Sequence, residues 1–351
     1  MRLLPLLVLL TALPAGAQDT GALCADDFDA VASALREDYG GRDLLLVGAE
    51  GEGRAAALAE LRAEAAGAGT PAACDDVLHR ATALFPDGHL RVSTPRPGPS
   101  RDRSADTAPD AGGLSLRFVG DSAAVLRLPT FRAQAKATID SVVFSNLPRL
   151  LSVPYLVIDV TGNGGGSDAS FQALAPLLYT GPLTFAPMER RASAGNIAYY
   201  EGELERTDLP PAQRAFYESA LAAMRAADGD WTSSEPTTIA LDLNNPYPRA
   251  VALLVDAGTA SSAEELVLAS AQSTKVTTVG RPTYGALDYS NLRPVRLPSG
   301  ERTLMLPTSR RLWPDGFSVD AAGIEPAVRV PDGVDDWSAY ALEHLVGRET
   351  D

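Results

Sequence analysis

The chain has 351 residues, with 30 Lys and Arg against 45 Asp and Glu, and a formal net charge of −15 at pH 7. This acidic excess argues against a nucleic-acid-binding surface, because phosphate contacts need clustered cations. With 45% hydrophobic and 21% charged residues, the composition excludes disordered and collagen-like classes and indicates one large or two ordinary globular domains.

Residues 1–17 have the pattern of a secretory signal peptide. Arg2 precedes an apolar run over residues 3–13, and Pro14 and the small residues 15–17 follow as a cleavage site. The run is too short to cross a bilayer, and no later run is long enough. The sequence therefore predicts an exported protein, periplasmic or secreted, with no transmembrane span.

Residues 18–92 predict an N-terminal helical domain. Phe28, Val31 and Leu35 recur at three- and four-residue steps, which makes one apolar stripe on a first helix, and two further helices follow. In an exported chain the two cysteines, Cys24 and Cys74, can form a disulfide between the first and third helices. Two unpaired buried thiols are the alternative.

The rest of the chain predicts an α/β core over residues 114–351. Residues 93–113 are rich in Pro, Gly, Ser and Asp without periodicity, which indicates a linker. After it comes a hairpin around Gly120, and then short apolar strands alternate with helices. A polar insertion covers about residues 185–248.

Ser261 is a candidate nucleophile. It lies where an apolar strand ends and a helix begins, so its hydroxyl is at the positive end of a helix and the Ser262 N–H can meet an oxyanion. The alternative is structural, because Ser261-x-x-Glu264 is also a helix capping box.

His89 is a candidate general base. It follows Asp87 and Gly88 at the end of the helical region, and an imidazole titrates near neutrality. A solvated loop histidine is the alternative. The glycine-rich turn over residues 162–166 is no dinucleotide fingerprint, because Ser167 stands at the third glycine position. Its bare amides suit an oxyanion hole, and a tight turn with no ligand is the alternative.

Four segments in this order resemble the tail-specific, or C-terminal processing, serine peptidase family, which includes the tricorn core enzyme and the interphotoreceptor retinoid-binding protein. They are YLVIDVTGNGGG from residue 155, LLVDAGTASSAEE from 253, VGRPTYGA from 279 and GIEPAVRV from 323. The resemblance implies an α/β core of stacked strand–helix units with crotonase-like architecture, behind an N-terminal helical domain.

The sequence departs from the best-known branch of that family. Ala286 stands where processing proteases carry the lysine base. The tricorn-like branch instead uses a histidine at the end of the helical domain and an acidic residue before the G-I-E-P segment, and these positions hold His89 and Asp320. Glu325 and Asp315 are alternative acidic partners.

The resemblance then implies a role for each residue. Ser261 attacks, His89 takes its proton, and Asp320 orients His89. The N–H groups of Gly165 and Ser262 receive the oxyanion. No metal or organic cofactor is implied.

A second departure concerns substrate binding. Processing proteases carry a PDZ domain between the helical domain and the core, and only the linker lies there. The insertion is predicted to form a wall of the substrate site through its aromatic residues, namely Tyr199, Tyr200, Tyr217 and Trp231. The resemblance implies a peptide or protein substrate. A noncatalytic ligand-binding protein of the same fold and an esterase are the alternatives.

Overall fold

The structure is a computed structural model, and it describes residues 20–94, 113–227, 230–232, 235–314, 317–320 and 322–347. The predicted signal peptide lies outside these ranges, as does nearly all of the predicted linker. Within these ranges, no helix is both long and apolar enough to cross a membrane.

The chain forms ten helices and twelve strands in the described ranges. The helices are α1 Thr20–Glu37, α2 Asp43–Leu46, α3 Gly48–Ala66, α4 Pro71–Ala83, α5 Lys136–Leu150, α6 Ala175–Leu178, α7 Ala194–Leu204, α8 Pro211–Ala226, α9 Ser262–Ala271 and α10 Trp337–Gly347. The strands are β1 Arg91–Ser93, β2 Ser115–Val119, β3 Ala123–Arg127, β4 Tyr155–Asp159, β5 Leu183–Phe185, β6 Met188–Arg190, β7 Thr237–Ile239, β8 Ala250–Val255, β9 Val276–Gly280, β10 Tyr289–Arg296, β11 Thr303–Arg311 and β12 Val328–Arg329.

The core is a six-stranded sheet with the order β12-β9-β8-β4-β3-β2. All neighbours pair in parallel except the predicted hairpin, β2 and β3. Strands β4 and β8 are apolar runs because both faces of the sheet are covered. Helices α5 and α9 pack on one face and α10 on the other. The predicted α/β core behind an N-terminal helical region is confirmed.

A second, antiparallel sheet joins the helical region to the core. It has the order β1-β11-β10, and β6 also pairs with β11. Strand β1 follows directly on the chain segment of His89, and it pairs with β11 through Arg91 and Met305. The end of the helical region is therefore held against strands that come some 200 residues later.

The helical region has its own core. Phe28, Val31 and Leu35 are at most 1% exposed, as the stripe on α1 predicts. Cys24 on α1 and Cys74 on α4 form the predicted disulfide, with their Cα atoms 5.7 Å apart. This bond joins the first and last helices of the region, so the alternative of two unpaired thiols is wrong.

Replacing both cysteines with alanine should destabilise the protein. The two cysteines are 50 residues apart in sequence, and closing a loop of that length in the unfolded chain corresponds to about 4 kcal/mol in the chain-entropy account of disulfides. Urea unfolding followed by circular dichroism should show the loss in Cys24→Ala/Cys74→Ala. An unchanged free energy of unfolding would contradict this expectation.

Candidate functional site

Ser261 has an unusual backbone conformation. It lies between β8 and α9 with φ 58° and ψ −123°, whereas an N-cap residue is normally extended. A non-glycine residue in this region costs about 1–3 kcal/mol and persists only where the surroundings enforce it. A strained serine on a strand-to-helix turn is also the geometry that presents a nucleophile in other hydrolases. The capping box that the sequence suggests is present, with Glu264 as its third residue, but a cap by itself does not require this backbone conformation.

Glu264 is the buried carboxylate that holds the turn. It has no exposed surface. Oε2 accepts the Ser261 N–H at 2.8 Å and the Ala286 N–H at 2.9 Å. Oε1 accepts the Thr283 hydroxyl at 2.6 Å and the Gly285 N–H at 2.7 Å. From the sequence, Glu264 is predicted only as the third residue of a helix capping box. Its hydrogen bonds to the turn over residues 283–286 were not predicted.

The same turn carries the chain segment of His89 on its other side. A methyl group at Gly88 would lie 2.7 Å from the Gly285 carbonyl oxygen and 2.8 Å from Ala286 Cβ. Glycine is needed here because the two backbones approach so closely. His89 and Ser261 therefore flank one turn, and Glu264 fixes that turn relative to Ser261.

The His89 ring is held by a backbone carbonyl. The ring is buried, with Nδ1 2.7 Å from the Tyr289 carbonyl oxygen. A carbonyl only accepts hydrogen bonds, so Nδ1 carries the proton and Nε2 has the free lone pair. Burial lowers the pKa of His89 below its ordinary 6.5, and Arg91 lowers it further. Within the described residues, no hydrogen bond joins this ring to Ser261.

Asp320 does not contact His89 through a hydrogen bond, in contrast to the orienting role that the sequence suggests. Its Oδ1 accepts the N–H groups of Leu287 and Asp288, the latter at 2.7 Å. Its Oδ2 is buried with no partner among the described residues. The Tyr289 carbonyl occupies the His89 nitrogen that an acidic partner would bind. A main-chain acceptor such as the Tyr289 carbonyl cannot be recognised from the pattern of side chains in the sequence.

Of the two alternative acidic partners, Glu325 alone lies in a described part of the chain. Glu325 forms an exposed ion pair with Arg329 at 2.7 Å. Asp315 lies outside the described residues. The orientation of His89 therefore depends, in the part of the chain that the structure describes, on Tyr289.

Three acidic side chains lie beside the His89 segment. Asp87 accepts the His89 N–H at 2.8 Å and the Tyr39 hydroxyl at 2.7 Å. Asp288 accepts the Val319 N–H at 2.9 Å. Burial raises the pKa of Asp87 to about 6, and repulsion from Asp288 contributes. Burial raises the pKa of Asp320 to about 7, and repulsion from Asp288 and Asp87 adds to it.

The raised pKa of Asp320 predicts a pH-dependent stability. Between the ordinary 3.8 and about 7 the folded state holds a proton that the unfolded chain releases. The free energy of unfolding should therefore fall as the pH rises through this interval. Asp320→Asn keeps an acceptor oxygen and removes the titration, so urea midpoints measured between pH 4.5 and 7.5 should fall less than in the wild type. The exposed variant Asp121→Asn is the control and should show the same pH dependence of the urea midpoint as the wild type. An equal pH dependence in Asp320→Asn and the wild type would contradict this prediction.

Gly165 lies directly against the Ser261 turn. Its φ is 86°, and a methyl group there would lie 2.8 Å from Ser261 Cβ and 2.6 Å from the Ala260 carbonyl oxygen. Only glycine fits. Its N–H donates to Asn163 Oδ1 at 2.9 Å, so this amide is already engaged. The Ser262 N–H has no acceptor among the described residues, and of the two predicted oxyanion donors it alone is free.

The aromatic residues that the sequence places in a wall of the substrate site pack against other side chains of the protein. Tyr200 is 2% exposed and packs on Tyr199 and Tyr217 in a cluster between α7 and α8. Trp231 stacks under the Arg310 guanidinium at 3.8 Å. The tyrosines serve as the core of a helical hairpin, because two amphipathic helices must bury their apolar faces somewhere.

The described residues contain no group of three or more His, Cys, Asp or Glu side chains placed to hold a metal ion. The groups of the site that could take part in a reaction are the strained Ser261, the neutral imidazole of His89 and the free Ser262 N–H at the N-terminus of α9. A serine hydroxyl, a base and an oxyanion donor are the parts that acyl transfer needs.

Comparisons with known proteins identify a family and a fold for the chain. The sequence pattern of peptidase family S41 matches residues 122–330, more than half of the chain. The fold is similar to that of a proposed peptidase from Parabacteroides merdae, with 15% identity, coverage of 93% of this chain and 96% of that chain, and a TM-score of 0.59. It is also similar to a lipoprotein from Streptococcus agalactiae, with 12% identity, coverage of 96% and 99%, and a TM-score of 0.54. No curated protein matches the chain.

Proposed function

Since this chain belongs to peptidase family S41, we propose that it is a serine peptidase in which Ser261 attacks the peptide carbonyl and His89 is the general base. The observation that carries the proposal is the positive φ of Ser261 between β8 and α9. Strain of this kind is retained where a side chain must be presented for chemistry.

The proposed first step is acylation. His89 Nε2 takes the proton of the Ser261 hydroxyl while Oγ forms a bond to the carbonyl carbon, and the C=O electron pair moves onto oxygen. The Ser262 N–H, at the N-terminus of α9, stabilises that oxyanion. The C–N bond then breaks, and His89 returns the proton to the leaving amine. Water releases the acyl group by the same sequence of transfers.

Tyr289 and Glu264 act as positioning residues in this scheme. The Tyr289 carbonyl fixes the tautomer of His89 through the 2.7 Å contact to Nδ1. A neutral carbonyl stabilises the imidazolium less than a carboxylate would, so this base depends mainly on orientation. Gly165 is then required for its lack of a side chain beside Ser261, and its amide would serve the oxyanion only after it leaves Asn163.

We further propose that the protein is exported and acts on peptides or proteins. The signal-peptide pattern of residues 1–17 and the Cys24–Cys74 disulfide support export to the periplasm or the medium. The proposal does not assign a preference for C-terminal tails, since only residues 93–113 separate the predicted helical domain from the predicted core.

A serine-directed probe tests the proposal. A fluorophosphonate should label the wild type and the exposed-serine variant Ser141→Ala, and it should not label Ser261→Ala. Casein hydrolysis should follow the labelling. Labelling with hydrolysis of p-nitrophenyl acetate but never of casein would favour an esterase. A correctly folded wild type that is neither labelled nor active would favour a noncatalytic binding protein.

A further inference from the structure

A buried ion pair joins the helix that follows Ser261 to the antiparallel sheet. Glu265 lies in the first turn of α9, and its N–H donates to the Ser261 carbonyl at 3.0 Å. Its Oε2 accepts a hydrogen bond from Arg311 Nη2 at 2.5 Å, and the two side chains are 6% and 7% exposed. Arg311 is the last residue of β11. The pair therefore ties the N-terminal turn of α9 to one end of the antiparallel sheet.

The same end of that sheet holds the His89 ring. The Arg311 N–H donates to the Asp288 carbonyl at 2.8 Å, directly before Tyr289. The Tyr289 carbonyl is the partner of His89 Nδ1. Ser261 and His89 belong to different parts of the fold, and the ion pair connects the element that carries Ser261 to the strand that orients His89.

Stability alone does not account for this ion pair. Removing two charges from water is costly, and an apolar pair of similar volume is often as stable or more stable. Arg311 Nε is buried without a hydrogen-bond partner among the described residues. Burial raises the pKa of Glu265 to about 7 against the attraction of Arg311, and repulsion from Asp168 adds to the rise. What the pair does provide is direction, because a charge-assisted hydrogen bond between arginine and a carboxylate fixes the relative placement of the two groups.

We propose that Arg311 is a positioning residue that, through Glu265, sets the separation between the Ser261 hydroxyl and the His89 imidazole. The inference rests on the proposed function, in which these two groups exchange a proton. Without the ion pair, the N-terminus of α9 can shift relative to the sheet while the helix and the sheet remain folded. A misplacement of about 1 Å costs about 100-fold in rate.

Kinetics of two arginine variants test this role at pH 8, where Glu265 is ionised because its pKa is about 7. Arg311→Met should lower kcat for casein hydrolysis and the rate of fluorophosphonate labelling by about 100-fold, with KM little changed. Arg302→Met is the matched control, because Arg302 stands just before β11 and forms an equally buried ion pair with Asp27 (5% and 0% exposed). This control should be destabilised to urea at least as much and keep the wild-type kcat.

A double variant separates position from stability. Glu265→Leu/Arg311→Met replaces the ion pair by apolar side chains, so its urea midpoint should be higher than that of Arg311→Met. Its kcat should stay low, because no directional contact remains. Recovery of kcat together with stability, or equal losses of kcat in Arg311→Met and Arg302→Met, would overturn the positioning role and leave a purely structural ion pair.

Crystal structures of the variants separate this inference from the proposed function. The distance from Ser261 Oγ to His89 Nε2 should differ from the wild-type distance by about 1 Å in Arg311→Met and should be unchanged in Arg302→Met. That result would support the role of Arg311 even if the wild type is never labelled, in which case the proposed function fails and the ion pair positions two groups of a noncatalytic site. An unchanged distance in Arg311→Met would overturn the role even if the fluorophosphonate labels Ser261.

Discussion

Replacement of His89 by alanine is expected to lower kcat by about 10⁴-fold or more with the fold retained, because the Ser261 hydroxyl loses its base. KM should change little, since the imidazole is proposed to act on the proton rather than on the substrate. Rates of casein hydrolysis and fluorophosphonate labelling measure the effect. His344→Ala, on the C-terminal helix, is the matched control.

The wild-type pH profile gives the same prediction a second readout. Burial lowers the pKa of His89 below 6.5, so the ring is neutral and competent at pH 7. The rate should therefore fall only when the pH drops below 6.5, where the His89 ring becomes protonated. The residual rate of His89→Ala should show no such decrease at acid pH. Wild-type rates in His89→Ala, or the same decrease in rate at acid pH in this variant, would show that His89 is not the general base.

Removal of the Glu264 carboxylate is expected to damage both stability and activity. Glu264→Ala leaves the Ser261, Gly285 and Ala286 amides and the Thr283 hydroxyl without their acceptor. Each buried unsatisfied donor costs about 1–3 kcal/mol, and a combined loss of about 4 kcal/mol in unfolding free energy is expected. Without the carboxylate, the strained Ser261 conformation should relax and kcat should fall by about 100-fold or more.

Graded variants separate the role of Glu264 from general destabilisation. Glu264→Gln keeps one acceptor oxygen, so urea unfolding should place it between the wild type and Glu264→Ala. The rate of fluorophosphonate labelling in folded protein should follow the same order. Glu218→Ala, an exposed glutamate on α8, should match the wild type. Wild-type stability and labelling in Glu264→Ala would show that the turn is held by other contacts.

Much of the fold could be predicted from local pattern. The stripe of Phe28, Val31 and Leu35 is buried as expected, and the apolar runs of β4 and β8 form the centre of the parallel sheet. Not every apolar run between the strands forms a regular helix. Residues 169–179 form two 3₁₀ turns and the single-turn α6. Pro176 lies in it, and proline removes a helix donor and clashes with the preceding turn.

The candidate site was predictable only in part. Ser261 and Gly165 stand at junctions that a sequence makes visible, because a strand, a turn and a helix follow one another there. The aromatic content of the insertion suggests a substrate wall, but residue type alone does not distinguish a ring that packs inside a helical hairpin, as Tyr200 does, from a ring that faces a substrate.

The sequence alone determined the apolar periodicities, the glycines of the tight turn, and the order of strand, serine and helix, because each is set by residues a few positions apart. The tertiary structure decided that the Tyr289 carbonyl holds His89, 200 residues away in sequence, and that Glu264 binds the turn at Gly285, 21 residues on. Contacts of this kind use main-chain atoms that every residue possesses, so which of them meet depends on the three-dimensional path of the chain rather than on any local pattern.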